Sequence, residues 1–582
     1  MSALIPAGIG ILALAVGYLV YSRLVARWLG FPKDATMPSE TLYDGVDYVP
    51  AKHPSVLFGH HFASIAGAAP ILGPVIACYV WGWVPALLWI VIGGIFFGAL
   101  HDYFALSYSV VNRGRSICDL SGTTLGKAAK VCFSIFVLLA LILVVAVFAA
   151  VAANTLVKSP EVVIPTFGLI GVAVVIGVLM YRTRLSWWVT SLIGLVLLGG
   201  LLVLGYEVPI GLCPGGDPEV ADKLIVLGDY IPALACDAAG AVRAWTVVLL
   251  VYSFIASVLP VWLLLQPRDH ISTGVLFFGM LFGFGGLLLA RPVMQAPGFV
   301  SFSSVKGALW PMLFVVIACG AISGFHSLVS SGTTAKQLPR MRDARRIGYG
   351  AMIMESALAL LAVICVAAGL YWKALPAGVT EGVTYQQKMG PQLKGWIDAF
   401  GAGYGQITRG LLGSLGALFG IVMLNAFIMT TLDSATRITR YVCSELIGDT
   451  FRIKPFRNRF VATTLVILLA GWLALGDWAA LWPIFGASNQ LIAAMVLLMA
   501  TVYLVTQKRS CAFAGIPAAL ILLTTIGALV YQCYGFLTAR EPKVLLASIS
   551  VVLIVLALFV VMKGFTTVRR LKRERQEEPS AG

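Results

Sequence analysis

Charge is scarce in this sequence. Only 12% of its 582 residues are Asp, Glu, Lys or Arg, where a soluble domain carries about 25%. That shortage excludes an ordinary water-soluble protein, and it leaves the 59% of hydrophobic residues to face lipid or one another. The ten cysteines form no C-x-x-C pair and no Cys/His cluster, so no zinc or iron–sulfur cofactor is expected. No G-x-x-x-x-G-K-[ST] stretch is present, which argues against ATP hydrolysis within the chain. The N-terminus lacks a basic leader and a cleavage site, so the first apolar run reads as a membrane helix and not a removed signal. The apolar runs do not alternate with polar residues, which excludes a transmembrane β-barrel. Lys and Arg exceed Asp and Glu by 41 to 26. This is no nucleic-acid signal, because the excess is divided by side of the membrane.

What is present is a series of fifteen apolar segments, most of them near the ~20 residues that span a bilayer. They lie near 3–22, 56–80, 83–109, 127–155, 164–181, 186–205, 244–266, 272–290, 310–332, 348–372, 408–433, 460–475, 480–505, 512–535 and 543–563. The predicted fold class is all-α, a polytopic transmembrane helical bundle. Arg569, Arg570, Lys572, Arg573 and Arg575 follow the last segment and place the C-terminus in the cytoplasm. Alternation then puts the N-terminus outside and gathers the basic loops 333–347 and 434–459 inside, facing anionic lipid. The organisation reads as a first helix and cytoplasmic linker over 1–55 and a core over 56–433 with outer loops 206–243 and 373–407. A cytoplasmic loop with peripheral helices follows over 434–563, then a disordered tail over 564–582. The loop 206–243 is acidic (Asp217, Glu219, Asp222, Asp229, Asp237) and holds Cys213 and Cys236, which would either pair as a disulfide in an oxidising outer compartment or stand as two unrelated free thiols.

The chemistry concentrates where polar residues interrupt apolar segments. Phe58 to Ala77 reads FGHHFASIAGAAPILGPVIA. Pro70 and Pro74 remove backbone donors, and Gly67 and Gly73 release the backbone from helical geometry. A helix interrupted at membrane depth points to a transport site. His60 and His61 would either relay a proton or hold the break in shape. A second interrupted stretch, CGAISGFHSLVSSGTT at 319–334, carries His326, Ser330, Ser331, Thr333 and Thr334. Its hydroxyls suit a small hard cation or return hydrogen bonds to their own helix. Asp102, Glu355 and Asp433 lie within segments. Each costs at least ~2.5–3.5 kcal/mol at mid-bilayer, which marks them as coupling candidates, although Asp433 also has Arg437 at i+4. Ser488-Asn489-Gln490 reads as interhelical hydrogen bonding.

These motifs resemble the carbon starvation protein A (CstA) family of peptide and pyruvate transporters. The matching stretches are DGVDYVP at 44–50, FGHHFASIAGAAPILGPV at 58–75, ASVLPVWLLLQPRD at 256–269, ACGAISGFHSLVSSGTTAKQL at 318–338 and TTLDSATRITRY at 430–441. The resemblance implies a bacterial inner-membrane carrier of the amino acid–polyamine–organocation superfamily. Such a carrier has a LeuT-like core of two inverted five-helix repeats with extra peripheral helices. The second segment would open one repeat and the seventh, broken at Pro260, the other; an offset of seven segments instead would suit a seven-plus-seven repeat. The expected function is secondary active import of a small carboxylate or short peptide on a proton or sodium gradient. The rival is a membrane receptor that senses a metabolite without moving it; no enzyme signature is present. The substrate would meet His60, His61, Ser64, Gly67, Pro70, Tyr252, Ser253, Ser257 and His326. The coupling cation, a possible sodium ion, would lie between carbonyls near Ala63 to Ala66 and the hydroxyls of Ser330, Ser331 and Thr334. No other cofactor is expected, and the oligomeric state is open.

Overall fold

A computed structural model describes residues 1–214, 222–231, 235–304, 306–375, 382–390, 395–476 and 478–577. Apart from two pairs of two-residue strands in loops between spans, its regular structure is helical. Twelve helices among the described residues are long and apolar enough to cross a membrane. The three remaining apolar segments are a pair of helices bent by 44°, the 16-residue helix Arg459–Ala474, and a segment split into Leu309–Val316 and Gly324–Gly332. Every one of the fifteen predicted segments therefore has a helical counterpart.

In chain order the helices are α1 (Leu4–Leu29), the bent pair α2 (Pro54–Ile65) and α3 (Ala69–Trp81), α4 (Trp83–Val111), α5 (Lys127–Lys158), α6 (Pro160–Arg182) and α7 (Trp187–Glu207). Next come α8 (Ala238–Val258), α9 (Leu265–Ala290), the split pair α10 (Leu309–Val316) and α11 (Gly324–Gly332), and α12 (Met341–Gly369). The series ends with α13 (Trp396–Leu412), α14 (Leu415–Thr450), α15 (Arg459–Ala474), α16 (Leu481–Thr506), α17 (Ala512–Leu537) and α18 (Val544–Glu577).

The packing repeats itself. α2 lies on α9 as α10 lies on α16, and α3 lies on α12 as α11 lies on α4. α5 packs on α8 and α16, while α14 packs on α15 and α9, and the two long helices α5 and α14 pack on each other. One set is therefore α2/α3, α4, α5, α8 and α9, and the other is α10/α11, α12, α14, α15 and α16. Successive spans alternate in direction, so an odd offset turns the second set upside down. The five-plus-five expectation stands, but the second set opens at the ninth segment and not the seventh. Pro260 ends α8 instead of breaking it: residues 259–264 leave helical geometry before α9 begins. The offset is seven for the first three members and five for the last two, because the hairpin α6–α7 is inserted into the first set.

Three other expectations change. Residues 564–577 continue α18 as helix, where a disordered tail was predicted. The stretch is rich in Arg, Lys and Glu, which favour helix, and Arg570 meets Glu574 one turn on at 3.6 Å. Residues 373–407, expected as an outer loop, contain the start of α13, packed on α9 and α12. Cys213 and Cys236 are both free thiols. The Cys236 sulfur lies over the first turn of α8 at Gly240, a direction set by the Asp237 N-cap, which accepts the Gly240 N–H at 2.8 Å. Burial pushes the Cys213 thiol pKa up, and Cys236 adds to the effect, so the two remain neighbours. Asp217 and Glu219 lie outside the described residues.

Candidate functional site

The first break is built by α2, α3 and α14. Pro54 starts α2 where its missing N–H is not needed, and His53 caps that turn by accepting the Ser55 N–H at 3.1 Å. Helical geometry ends at Ile65, and Pro70 stands in the first turn of α3. The carbonyls released at the end of α2 are taken by α14: Thr430 donates to the Ala63 carbonyl at 2.8 Å and Thr431 to that of Ser64 at 3.1 Å. A Cβ on Gly67 would stand 2.7 Å from both the Thr431 hydroxyl and the Phe148 ring, so only glycine fits there.

Two charged circuits flank this break. On α9, Asp269 contacts His60 Nδ1 at 2.6 Å and accepts from the Ser64 hydroxyl at 3.2 Å. Ser64 also meets Ser434 at 2.8 Å, and Gln337 meets His60 Nε2 at 3.2 Å. The neighbouring Arg268 pairs with Asp433 of α14. Tyr252 donates to the same carboxylate at 2.5 Å and accepts from Arg268 at 2.7 Å. His60, Ser64, Asp269, Asp433 and Ser434 are fully buried.

The second break, between α10 and α11, crosses the first. A Cβ on Gly73 would fall 2.3 Å from the Val316 carbonyl oxygen, and one on Gly320 (φ +87°) would lie 3.6 Å from Pro70. His326 opens onto two carboxylates here, Asp102 of α4 at 3.1 Å from Nδ1 and Glu355 of α12 at 3.1 Å from Nε2. The other Glu355 oxygen accepts the Gly320 N–H at 3.1 Å. Asn489 of α16 caps α11 by accepting the Phe325 N–H at 2.7 Å, and Gln490 donates to the Phe314 carbonyl at 3.1 Å. These are the interhelical bonds expected of Ser488-Asn489-Gln490 at its last two positions, whereas Ser488 donates to the Phe485 carbonyl of its own helix at 3.1 Å.

The predicted site residues thus divide. His60, Ser64, Gly67 and Asp433 converge at the first break with Tyr252, while Asp102, Glu355 and His326 converge at the second, against Pro70. His61 joins the two sequence stretches by contacting Thr334 at 2.9 Å. Among the described residues Ser253 bonds only the Leu250 carbonyl of its own helix, at 3.0 Å. Ser257 and Ser330 are buried without a hydrogen-bond partner among the described residues. Ser331 accepts the Ile117 N–H at 3.1 Å and donates to the Ser327 carbonyl at 2.9 Å. The Ala63 and Ser64 carbonyls are taken by Thr430 and Thr431 of α14, while α11 also packs on α2 and meets it where His61 contacts Thr334. Sequence reasoning missed Arg268, Asp269, Gln337, Thr430, Thr431 and Ser434. The signal for the first two was present: an Arg-Asp pair at the start of an apolar segment, assigned to a loop because it is charged.

The family described as carbon starvation protein CstA matches residues 2–528. A peptide transporter CstA of Campylobacter jejuni is 32% identical over 568 residues, covering 88% of this chain and 77% of that protein. A pyruvate/proton symporter BtsT of Escherichia coli is 30% identical, covering 89% of this chain and 80% of that one. Among solved structures, a manganese transporter of Eremococcus coleocola in complex with an aromatic bis-isothiourea compound is 12% identical. It aligns over 91% of this chain and 99% of its own, with a TM-score of 0.49.

Proposed function

Because this chain belongs to the carbon starvation protein CstA family, we propose that it is a secondary active transporter. Its cargo is a small carboxylate of the pyruvate kind or a short peptide, imported on an inward cation gradient. Relatives bear the names peptide transporter and pyruvate/proton symporter, which are names for transport and not for catalysis or sensing. The observation that carries the reading is the 44° break between α2 and α3, buried at the centre of a doubled helical core.

The two half-helix ends at this break differ in electrostatic sign. α3 presents the N–H groups of its first turn and the positive end of its dipole, a seat for a carboxylate. Ser64, Gly67 and Pro70 border that seat, with His60 and His61 one turn back. α2 presents carbonyls, the opposite pole. A sodium ion would take the Ala63 and Ser64 carbonyl oxygens together with the Thr430 and Thr431 hydroxyls turned to offer lone pairs, since hard cations prefer oxygen. Rocking the four-span bundle of α2/α3, α4, α10/α11 and α12, which draws on both sets and contains both breaks, against α5 and α14 would expose the seat to each side in turn. The chain sits in the bacterial inner membrane with its C-terminus and basic loops in the cytoplasm.

Uptake of labelled pyruvate and labelled di- and tripeptides into proteoliposomes, under proton and sodium gradients imposed separately, tests this reading. Accumulation of one class above its outside concentration is expected. Absence of gradient-dependent uptake of both classes would overturn it, and binding without accumulation would favour a receptor.

A further inference from the structure

The second break carries a feature that substrate binding at the first leaves unused. His326 is fully buried, as are Asp102 and Glu355, and both of its ring nitrogens face carboxylates. A neutral imidazole has one N–H and one lone pair. With the N–H on Nδ1, it goes to Asp102, 3.1 Å away. The lone pair on Nε2 then points toward Glu355 Oε2, 3.1 Å away, where an ionised carboxylate would oppose it with lone pairs of its own. These two atoms make no aligned hydrogen bond with each other or with any described residue, so the space between them is chemically complete only when it holds one further proton.

We infer that His326 Nε2 and Glu355 Oε2 form the binding site of the driving proton, separate from the oxygen-lined cation seat at the first break. This rests on the transport reading above. The surrounding groups prepare the site for one proton and no more. From α4, His101 lies 3.2 Å from Asp102 Oδ1 and turns both ring nitrogens to carbonyl oxygens, those of Gly98 and Ser323. From the break itself, Cys319 donates to the Ser323 hydroxyl at 3.4 Å and accepts from Asn489 of α16. From α2, His61 stands within electrostatic reach. No Lys or Arg is ion-paired to the cluster among the described residues, so no fixed cation competes with the proton.

The proton is tied to the shape of the break. Glu355 Oε1 accepts the Gly320 N–H, and protonating the carboxyl weakens it as an acceptor. Gly320 lies against Pro70 at the start of α3. Gain or loss of one proton therefore acts on the contact between the two broken helices, through which the carboxylate seat is shaped.

The test uses the full chain in lipid. Infrared difference titration is expected to show one buried carboxyl taking up a proton, with the signal lost in Glu355→Gln and displaced in His326→Gln. Glutamine keeps the carbonyl that holds Gly320, which guards against collapse of the break. In proteoliposomes carrying labelled pyruvate or peptide, the ratio of proton-driven to downhill uptake should fall at least about tenfold in Glu355→Gln. Titrations that are the same in wild type and both variants would overturn the inference. So would stoichiometric zinc in the purified protein that disappears in Cys319→Ser, because Cys319, His326 and Glu355 also lie close enough to hold a metal. If wild-type protein titrates as expected but accumulates nothing, the transport reading falls and the proton site stands.

Discussion

Adjacent residues in this interior have separate partners. Asp433 and Arg437 sit one turn apart on α14, the spacing of a helix salt bridge, yet they do not pair. Asp433 takes Arg268 and Tyr252, while Arg437 reaches Asp47 at 2.7 Å. Arg268 is 1% exposed and Asp433 is 0%, so neither charge has water to fall back on. Breaking a buried pair by removing one partner costs about 3–5 kcal/mol, whereas replacing both with apolar groups is often neutral. Arg268→Met should therefore lower the thermal midpoint of the purified protein and its level in the membrane. The double variant Arg268→Met with Asp433→Leu should recover most of that loss. Thermal denaturation in detergent checks the order; a single variant as stable as wild type would show that the pair does not hold α9 to α14.

Helices in this fold work by stopping. Gly73 on α3 lets its backbone run against the carbonyl that ends α10, with room for a hydrogen and nothing larger. A Gly73→Val variant must part the two broken helices. Uptake should drop at least about tenfold while the protein still elutes as a folded particle. Gly171→Ala, which meets nothing within 4 Å, should leave uptake unchanged, and equal activity in the two variants would detach the crossing from function. Both breaks were legible in the amino-acid order, because proline and glycine act on the backbone of their own turn. What lies across a break is a different matter. Thr430 and Thr431 stand in a recognised motif, but the hydroxyl run at 330–334 was the denser local signal, and only packing decides which hydroxyls take the carbonyls of α2. Arg268 and Asp269 were hidden by the rule that charge marks a loop. That rule fails where each charge meets a partner more than a hundred residues away in the chain.

Taken whole, the molecule pairs two inverted sets of five spans around the crossed breaks, and a linker closes one side, the one proposed to be cytoplasmic. Residues 37–52 stitch the helix ends on that side together. Ser39 donates to the Leu338 carbonyl at 2.7 Å, the Val46 carbonyl accepts the Val261 N–H at 3.0 Å, and Lys52 donates to the Met180 carbonyl at 3.0 Å. Asp47 is the knot, bridging Arg437 at 2.7 Å and Arg440 at 3.2 Å. Burial works to raise its pKa, but Arg437, Arg440 and Lys336 outweigh burial and hold the carboxyl well below the usual range. A carboxylate with a lowered folded pKa stabilises at every pH above its ordinary value of about 3.9, and the contribution is lost only as pH falls through the folded value. The closure should thus persist unchanged from about pH 7 to about pH 5. Asp47→Asn removes the charge outright and leaves two buried guanidinium groups facing an amide. Maleimide labelling of Cys443, fully buried on α14 three residues beyond Arg440, should rise several-fold in Asp47→Asn vesicles that expose the inner face. Wild-type vesicles at about pH 5 should label no faster than at about pH 7. Acid that mimics the variant would mean that another titrating group, and not Asp47, keeps the inner side shut.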